Sequence, residues 1–159
     1  MKKYRIGVIG AGARGETFAR QLYAGTDRAV LFGVCDRDVD RLEKFVDYCG
    51  LAGARTFTDL AEFLRQPDLD AVIITTPDFT HRDVATAAMR AGKDIYLEKP
   101  VAPTSEQCRE IIRCQQETKR VVYVGFNLRA APESERLKQI VDSGLLEVER
   151  YSIGIGERR

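Results

Sequence analysis

The sequence predicts an α/β domain, doubly wound around a mainly parallel sheet of six strands, and three observations carry that prediction. Short apolar runs recur with helix-patterned segments between them, the alternation that marks β-α-β units. One run, Ala71-Val72-Ile73-Ile74, is apolar on both sides, as a central strand of a covered sheet must be. Most of the helix-patterned segments stop on a glycine, and two of them start on a capping residue, so the punctuation agrees with the periodicity.

Tyr4 to Ile9 reads as the first strand, followed by a glycine loop and a helix carrying Phe18 and Leu22 that Gly25 closes. Ala29 to Cys35 is the second strand. Leu42, Phe45, Val46 and Cys49 then repeat at the spacing of one helix face, which ends at Gly50. A short strand at Arg55 to Phe57 precedes Asp59, whose carboxylate caps a helix with Glu62 three residues on and Leu60, Phe63 and Leu64 on its apolar face. Asp70 to Thr75 holds the fourth strand, and Thr80 to Ala91 a helix that buries Val84, Ala87, Ala88 and Ala91 before Gly92. Asp94 to Leu97 is the fifth strand. Thr104 with Gln107 forms a capping box for a helix bearing Cys108, Ile111 and Ile112, and Val121 to Phe126 is the sixth strand. The last helix follows Pro132, shows Leu137, Ile140 and Val141 on one side, and ends at Gly144.

The composition narrows the class. With 159 residues, 44% hydrophobic and 31% charged, the chain suits one globular domain and is short for two. Such a domain buries enough surface to need neither metal nor disulfides. The 25 Lys and Arg balance 24 Asp and Glu to a net charge of +1, which leaves no electrostatic footprint for nucleic acid or an anionic membrane. Cys35, Cys49, Cys108 and Cys114 contain no C-x-x-C pair and His81 is the one histidine, so no zinc site is expected and the cysteines read as small apolar residues. The start leads directly into a strand, with no signal-peptide run or membrane span, so a reduced, cytoplasmic protein is expected.

Gly10-Ala11-Gly12-Ala13-Arg14-Gly15 is a G-x-G-x-x-G run placed directly between a strand and a helix. There, free backbone N–H groups and the positive helix end face a pyrophosphate. Gly10 permits the tight turn, Gly12 the approach of phosphate to backbone, and Gly15 the packing of helix on strand, with Ala13 and Arg14 completing the cradle. Arg14 is also placed to reach a phosphate. Asp36 ends the second strand, 21 residues beyond Gly15, where a dinucleotide site needs a carboxylate for the adenosine ribose. That charge repels a 2′-phosphate and favours NAD. Arg37 beside it can lie over adenine or compensate a phosphate, which keeps NADP as the alternative. A methyltransferase using S-adenosylmethionine also carries a glycine loop and an acidic strand end, so these features alone do not separate the cofactors.

Further motifs separate them. Thr75-Thr76-Pro77-Asp78-Phe79-Thr80-His81 follows the fourth strand, Glu98-Lys99-Pro100 the fifth, and Val124-Gly125-Phe126-Asn127-Leu128-Arg129 the sixth. In this order behind the glycine loop, and over residues 4 to 150, the chain resembles the Gfo/Idh/MocA family of glucose-fructose oxidoreductases and inositol dehydrogenases. The resemblance implies a two-domain NAD(P)-dependent oxidoreductase acting by hydride transfer on a sugar, inositol or related polyol, with residues 1–150 as its Rossmann domain. It implies that Lys99 touches the substrate hydroxyl and assists proton transfer, a role that suits an ammonium beside a cationic ring at a strand's carboxyl end. Glu98 would sit near the ribose or pair with Lys99. Thr75, Thr76 and Pro77 would border the cofactor, His81 would pack and hydrogen-bond behind them, and Asn127 and Arg129 would line the nicotinamide or substrate end. Asp78 departs from the family's asparagine and points instead to a helix-start role.

The same resemblance implies a second α/β domain that supplies most substrate contacts. Residues 151–159 would open it, and the G-x-V expected after the last helix is altered at Glu147-Val148. The 159-residue chain is therefore expected to lack efficient turnover, to expose the sheet face that the second domain covers, and to self-associate, a homo-oligomer included. Redox-assisted glycoside cleavage with a recycled NAD, and a non-catalytic nucleotide-sensing module, are the alternative functions.

Overall fold

Six parallel strands form one sheet in the order β3-β2-β1-β4-β5-β6: β1 (Tyr4–Ile9), β2 (Ala29–Cys35), β3 (Thr56–Phe57), β4 (Ala71–Ile74), β5 (Asp94–Leu97) and β6 (Val122–Val124). The computed structural model describes residues 3–145, so the expectations for residues 146–159, Glu147-Val148 among them, lie outside the described residues. The chain divides into two units, one running to Gly125 and the other beginning at Phe126.

In the first unit the connections are α1 (Ala13–Ala24), α2 (Val39–Cys49), α3 (Leu60–Leu64), α4 (His81–Arg90) and α5 (Ser105–Thr118). Strand alternation sorts the core onto two faces. Val8, Val34 and Ile73 pack with Ala19 and Leu22 of α1 and Leu42, Phe45 and Cys49 of α2. Their neighbours Ile9, Cys35 and Ile74 pack on the opposite side with Phe63, Val84, Ala88, Met89 and Ile111 of α3, α4 and α5. The sheet is thus covered on both faces at its centre, while Tyr123 of β6 is 58% exposed, and chain direction reverses its spread between β1 and β4. That is the switch point where a ligand crevice opens at the strands' carboxyl ends.

Local chemistry sets the boundaries. Asp38, Asp59 and Thr104 cap α2, α3 and α5, accepting from the N–H groups of Arg41, Glu62 and Gln107 at 2.9, 2.6 and 3.3 Å. The Thr104 box closes in one direction, since the buried Gln107 Oε1 has no partner among the described residues. The helix expected at Thr80 starts at His81, after a 3₁₀ turn at Asp78–Thr80. Its buried side also differs from expectation: Ala85 and Met89 are buried and Ala91 is exposed, because α4 packs against both the sheet and α5. On α5, Cys114 rather than Ile112 completes the buried stripe with Ile111. The last strand is shorter than Val121 to Phe126, although Gly125 N–H still donates to Leu97 O at 2.9 Å. All four cysteines are free. The second unit holds a 3₁₀ turn at Asn127–Ala130 and α6 (Pro132–Asp142), whose Ile140 and Val141 are half-buried.

Lys93, which the periodicity did not single out, is buried just before β5. Its Nζ donates to the carbonyls of Leu69 and Gln66 at 2.8 and 2.9 Å, fixing the turn that feeds β4. Burial pushes its pKa down, with Asp70 opposing the shift. Lys93→Met leaves both carbonyls without this donor and is expected to cost about 1–3 kcal/mol in urea unfolding. An unchanged midpoint and slope would contradict that assignment.

Candidate functional site

The site begins where β1 ends. Gly10 has φ of +105°, and a Cβ there would stand 2.9 Å from the Thr75–Thr76 backbone, so the turn admits only glycine. Its N–H donates to Cys35 O at 2.8 Å, and the next amide, Ala11, donates to Asp36 Oδ2 at 2.8 Å. Asp36 Oδ1 accepts from the Asp38 N–H at 3.0 Å. The Thr75 hydroxyl lies 3.1 and 3.0 Å from the carbonyl oxygens of Ile9 and Gly10 and shares its proton between them. The loop is thereby fastened to β2 on one side and β4 on the other. A Cβ on Gly15 would run into the Gly10 carbonyl oxygen, which is why α1 can start so close to the turn.

Gly12 differs from both. Its φ of −100° suits any residue, and a Cβ would meet nothing within 4 Å. No protein contact requires glycine here, and the space in front of it is open. Helix α1 starts beside it without a side-chain cap, and the N–H groups of Ala13 and Arg14 have no carbonyl one turn back to accept them. A diphosphate fits that combination of open space, unpaired donors and positive helix end.

A cavity of about 510 Å3 continues from the loop. Gly10, Gly12, Asp36, Arg37, Thr75, Thr76 and Pro77 all border it. Ile9, Leu60, Phe79 and Val84 give it apolar walls suited to an aromatic base. Sequence reasoning missed those four and Arg41, whose guanidinium lies 4.0 Å from Asp36 and 3.4 Å from Asp38. Its place one turn beyond the Asp38 cap was the available signal. Cys35 also borders the cavity, but burial and the neighbouring Asp36 push its thiol up to about 12, so it has no nucleophilic role.

At the end of β5, Lys99 is exposed and its ammonium has no ion-pair partner among the described residues. Glu98 is only 5% exposed and pairs with Arg14, whose Nε and Nη2 lie 2.8 and 2.7 Å from Oε1. Two expectations change here. Glu98 does not pair with the Lys99 ammonium, and the Arg14 guanidinium is committed to a carboxylate across the sheet rather than standing free for a phosphate. His81, at 1% exposure, does not line the cavity. Its ring lies behind the wall, Nδ1 2.8 Å from Pro100 O and Nε2 3.0 Å from Thr76 O. Asp78 opens the 3₁₀ turn without a side-chain capping bond. Asn127 and Arg129 fall in the second unit, where Arg129 lies over the Phe126 ring at 5.4 Å.

A parallel sheet with the order 3-2-1-4-5-6, a glycine turn at its switch point and an acidic end to β2 define a dinucleotide-binding α/β domain. Residues 4–126 match the family model described as "Oxidoreductase family, NAD-binding Rossmann fold". The chain therefore belongs to the Gfo/Idh/MocA family and constitutes its nucleotide-binding domain. It is 36% identical over 141 residues to inositol 2-dehydrogenase 3 of Saccharopolyspora erythraea, covering 88% of the chain and 41% of that protein. Inositol 2-dehydrogenase of Salmonella typhimurium is 33% identical over 141 residues, covering 88% of the chain and 42% of that protein. Among solved structures, myo-inositol 2-dehydrogenase from Lactobacillus plantarum superposes with a TM-score of 0.79 at 26% identity, covering 92% of this chain and 43% of that one. The fold is shared equally with scyllo-inositol dehydrogenase from Lactobacillus casei bound to NAD(H) and scyllo-inositol, at TM-score 0.79, 24% identity and coverage of 92% and 43%. The chain thus spans about two fifths of the length of the curated relatives it matches.

The two loop glycines should separate by experiment. Gly12→Ser, which adds a favourable cap, is expected to hold unfolding stability within about 0.5 kcal/mol while weakening NAD binding about tenfold or more in calorimetry. Gly15→Ala should instead lower stability. Equal NAD affinity for wild type and Gly12→Ser would refute the placement of the diphosphate.

Proposed function

We propose that this domain holds NAD for hydride transfer to or from a sugar, inositol or related polyol in the cytoplasm. The observation that carries the cofactor half of this reading is the open face of Gly12, at the uncapped start of α1 and on the same cavity as Asp36. Bound NAD supplies the hydride-accepting carbon of its nicotinamide. The loop amides of Gly12, Ala13 and Arg14 bind the diphosphate. Asp36 keeps lone pairs on both carboxylate oxygens after accepting from Ala11 and Asp38, and these take the ribose hydroxyls. Thr75, Thr76 and Pro77 form the opposite wall, with His81 behind it.

Lys99 handles the alcohol proton at Nζ, which no carboxylate among the described residues neutralises. Asn127 and Arg129 lie toward the substrate in this reading, supported by their place in the chain directly after β6. The polyol class is supported by inositol dehydrogenases being among the relatives. No helix among the described residues is long and apolar enough to cross a membrane.

Cofactor choice offers the sharpest check. The wild-type chain should bind NAD about tenfold or more tightly than NADP, and Asp36→Ala should abolish most of that preference by losing NAD affinity. Calorimetric titration of both nucleotides decides it. Equal affinities in the wild type, or no effect of the substitution, would reject the role given to Asp36.

A further inference from the structure

We propose that Glu98 and His81 are positioning residues that hold the backbone on both sides of Lys99 in register with the two walls of the cofactor cleft, with Arg14 as the far anchor of the Glu98 connection. The inference rests on the reading of Lys99 as the proton-handling group and adds how it is aimed.

The buried polar side chains among the described residues include His81, Thr86, Lys93 and Glu98. Burying such groups is costly unless their hydrogen bonds are made, so what they bond to shows what they serve. Thr86 bonds within its own helix and Lys93 fixes a remote turn. The other two converge on one exposed lysine. Glu98 Oε2 accepts the Lys99 N–H at 3.3 Å while its Oε1 takes Arg14 from the first turn of α1, 84 residues away in sequence. His81 reaches Pro100 O, immediately after Lys99, with one ring nitrogen and Thr76 O, in the opposite cleft wall, with the other. Carbonyls only accept, so a neutral ring, with its single N–H, donates to one of the two, and only an imidazolium donates to both.

Lys99 is thus tied on its amino side to the glycine loop and, through the His81 Nδ1 contact with Pro100 O, on its carboxyl side to the start of α4, which follows the Thr75–Pro77 loop. This matters because its own side chain makes no ion pair among the described residues. With a free ammonium, the direction of Nζ is set by where the backbone is held, and small misplacements of a reacting group are expensive. Arg14 is itself steadied, its guanidinium lying 5.4 Å from the Phe18 ring centroid.

The test reads Lys99 directly in the 159-residue chain. Acetylation by N-acetoxysuccinimide is followed by peptide mass spectrometry with and without saturating NAD, using exposed Lys119 in the same sample as reference. In the wild type NAD should slow Lys99 acetylation about tenfold relative to Lys119. In His81→Leu and Glu98→Leu that protection should drop below about threefold while the NAD Kd stays within about threefold of wild type. Glu98→Gln, which keeps an acceptor for the Lys99 N–H, should restore part of it. Should a leucine variant fail to fold, Arg14→Met cuts the same connection from its solvent-exposed end and should give the same loss. Full protection in the variants would overturn the proposal, as would a loss of NAD affinity beyond about tenfold, which marks direct cofactor contact. No protection in the wild type would overturn the reading of Lys99 itself, and the proposal with it.

Discussion

The hydrogen bond from the Ala11 amide to Asp36 Oδ2, at 2.8 Å, is the contact on which the site depends. A glycine-rich turn has more conformational freedom to lose than any other stretch of chain, and it stays shaped only where other groups over-determine it. Here Asp36 takes one loop amide, Cys35 O takes the amide before it, and the Thr75 hydroxyl bridges to two loop carbonyls. These partners sit on β2 and β4, the strands flanking β1, so the sheet order itself places them. In the function proposed above, the same carboxylate that shapes the loop is the one offered to ribose, so structure and recognition would share a side chain.

The sheet also explains why the chemistry gathers at one edge. Parallel strands bring every carboxyl end to the same side, and the Arg14–Glu98 pair crosses over β4 to join the loops after β1 and β5. With Glu98 nearly inaccessible, an unpaired carboxylate would be costly, so the pair is better understood as a fixed connection than as a source of net stability. The cavity straddles the switch point, between Asp36 and Thr76, where apolar walls from Ile9, Leu60 and Val84 meet charged rims from Arg37 and Arg41. That division suits a ligand with an aromatic base at one end and a charged centre.

Much of this was legible in the residues. Strand and helix periods, the Asp59 and Thr104 caps and the glycine loop each obey local rules, and local rules can be read one segment at a time. The two-sided run Ala71 to Ile74 announced a central strand, and it lies between β1 and β5. What escaped depends on distance in space. Arg14 and Glu98 are 84 residues apart, so no spacing pattern could reveal that one neutralises the other. His81 follows cleft residues in sequence, and the turn at Asp78–Thr80 sets it behind the wall, where its hydrogen bonds run to Pro100 and Thr76, contacts no spacing pattern reveals. Lys93 gave no signal, since a lysine beside a strand is ordinarily solvated and only the fold supplies Leu69 and Gln66 carbonyls to receive it.

The chain builds the glycine-loop cradle from its own contacts and holds it ready before any nucleotide arrives. Amide hydrogen exchange of the nucleotide-free chain, resolved at Ala11 and Gly12, reads this out. The Ala11 N–H, donated to Asp36, should exchange at least about tenfold more slowly than the open Gly12 N–H without NAD, and Asp36→Ala should remove the difference. Equal exchange at both amides until NAD is added would contradict it, showing a loop that the nucleotide shapes.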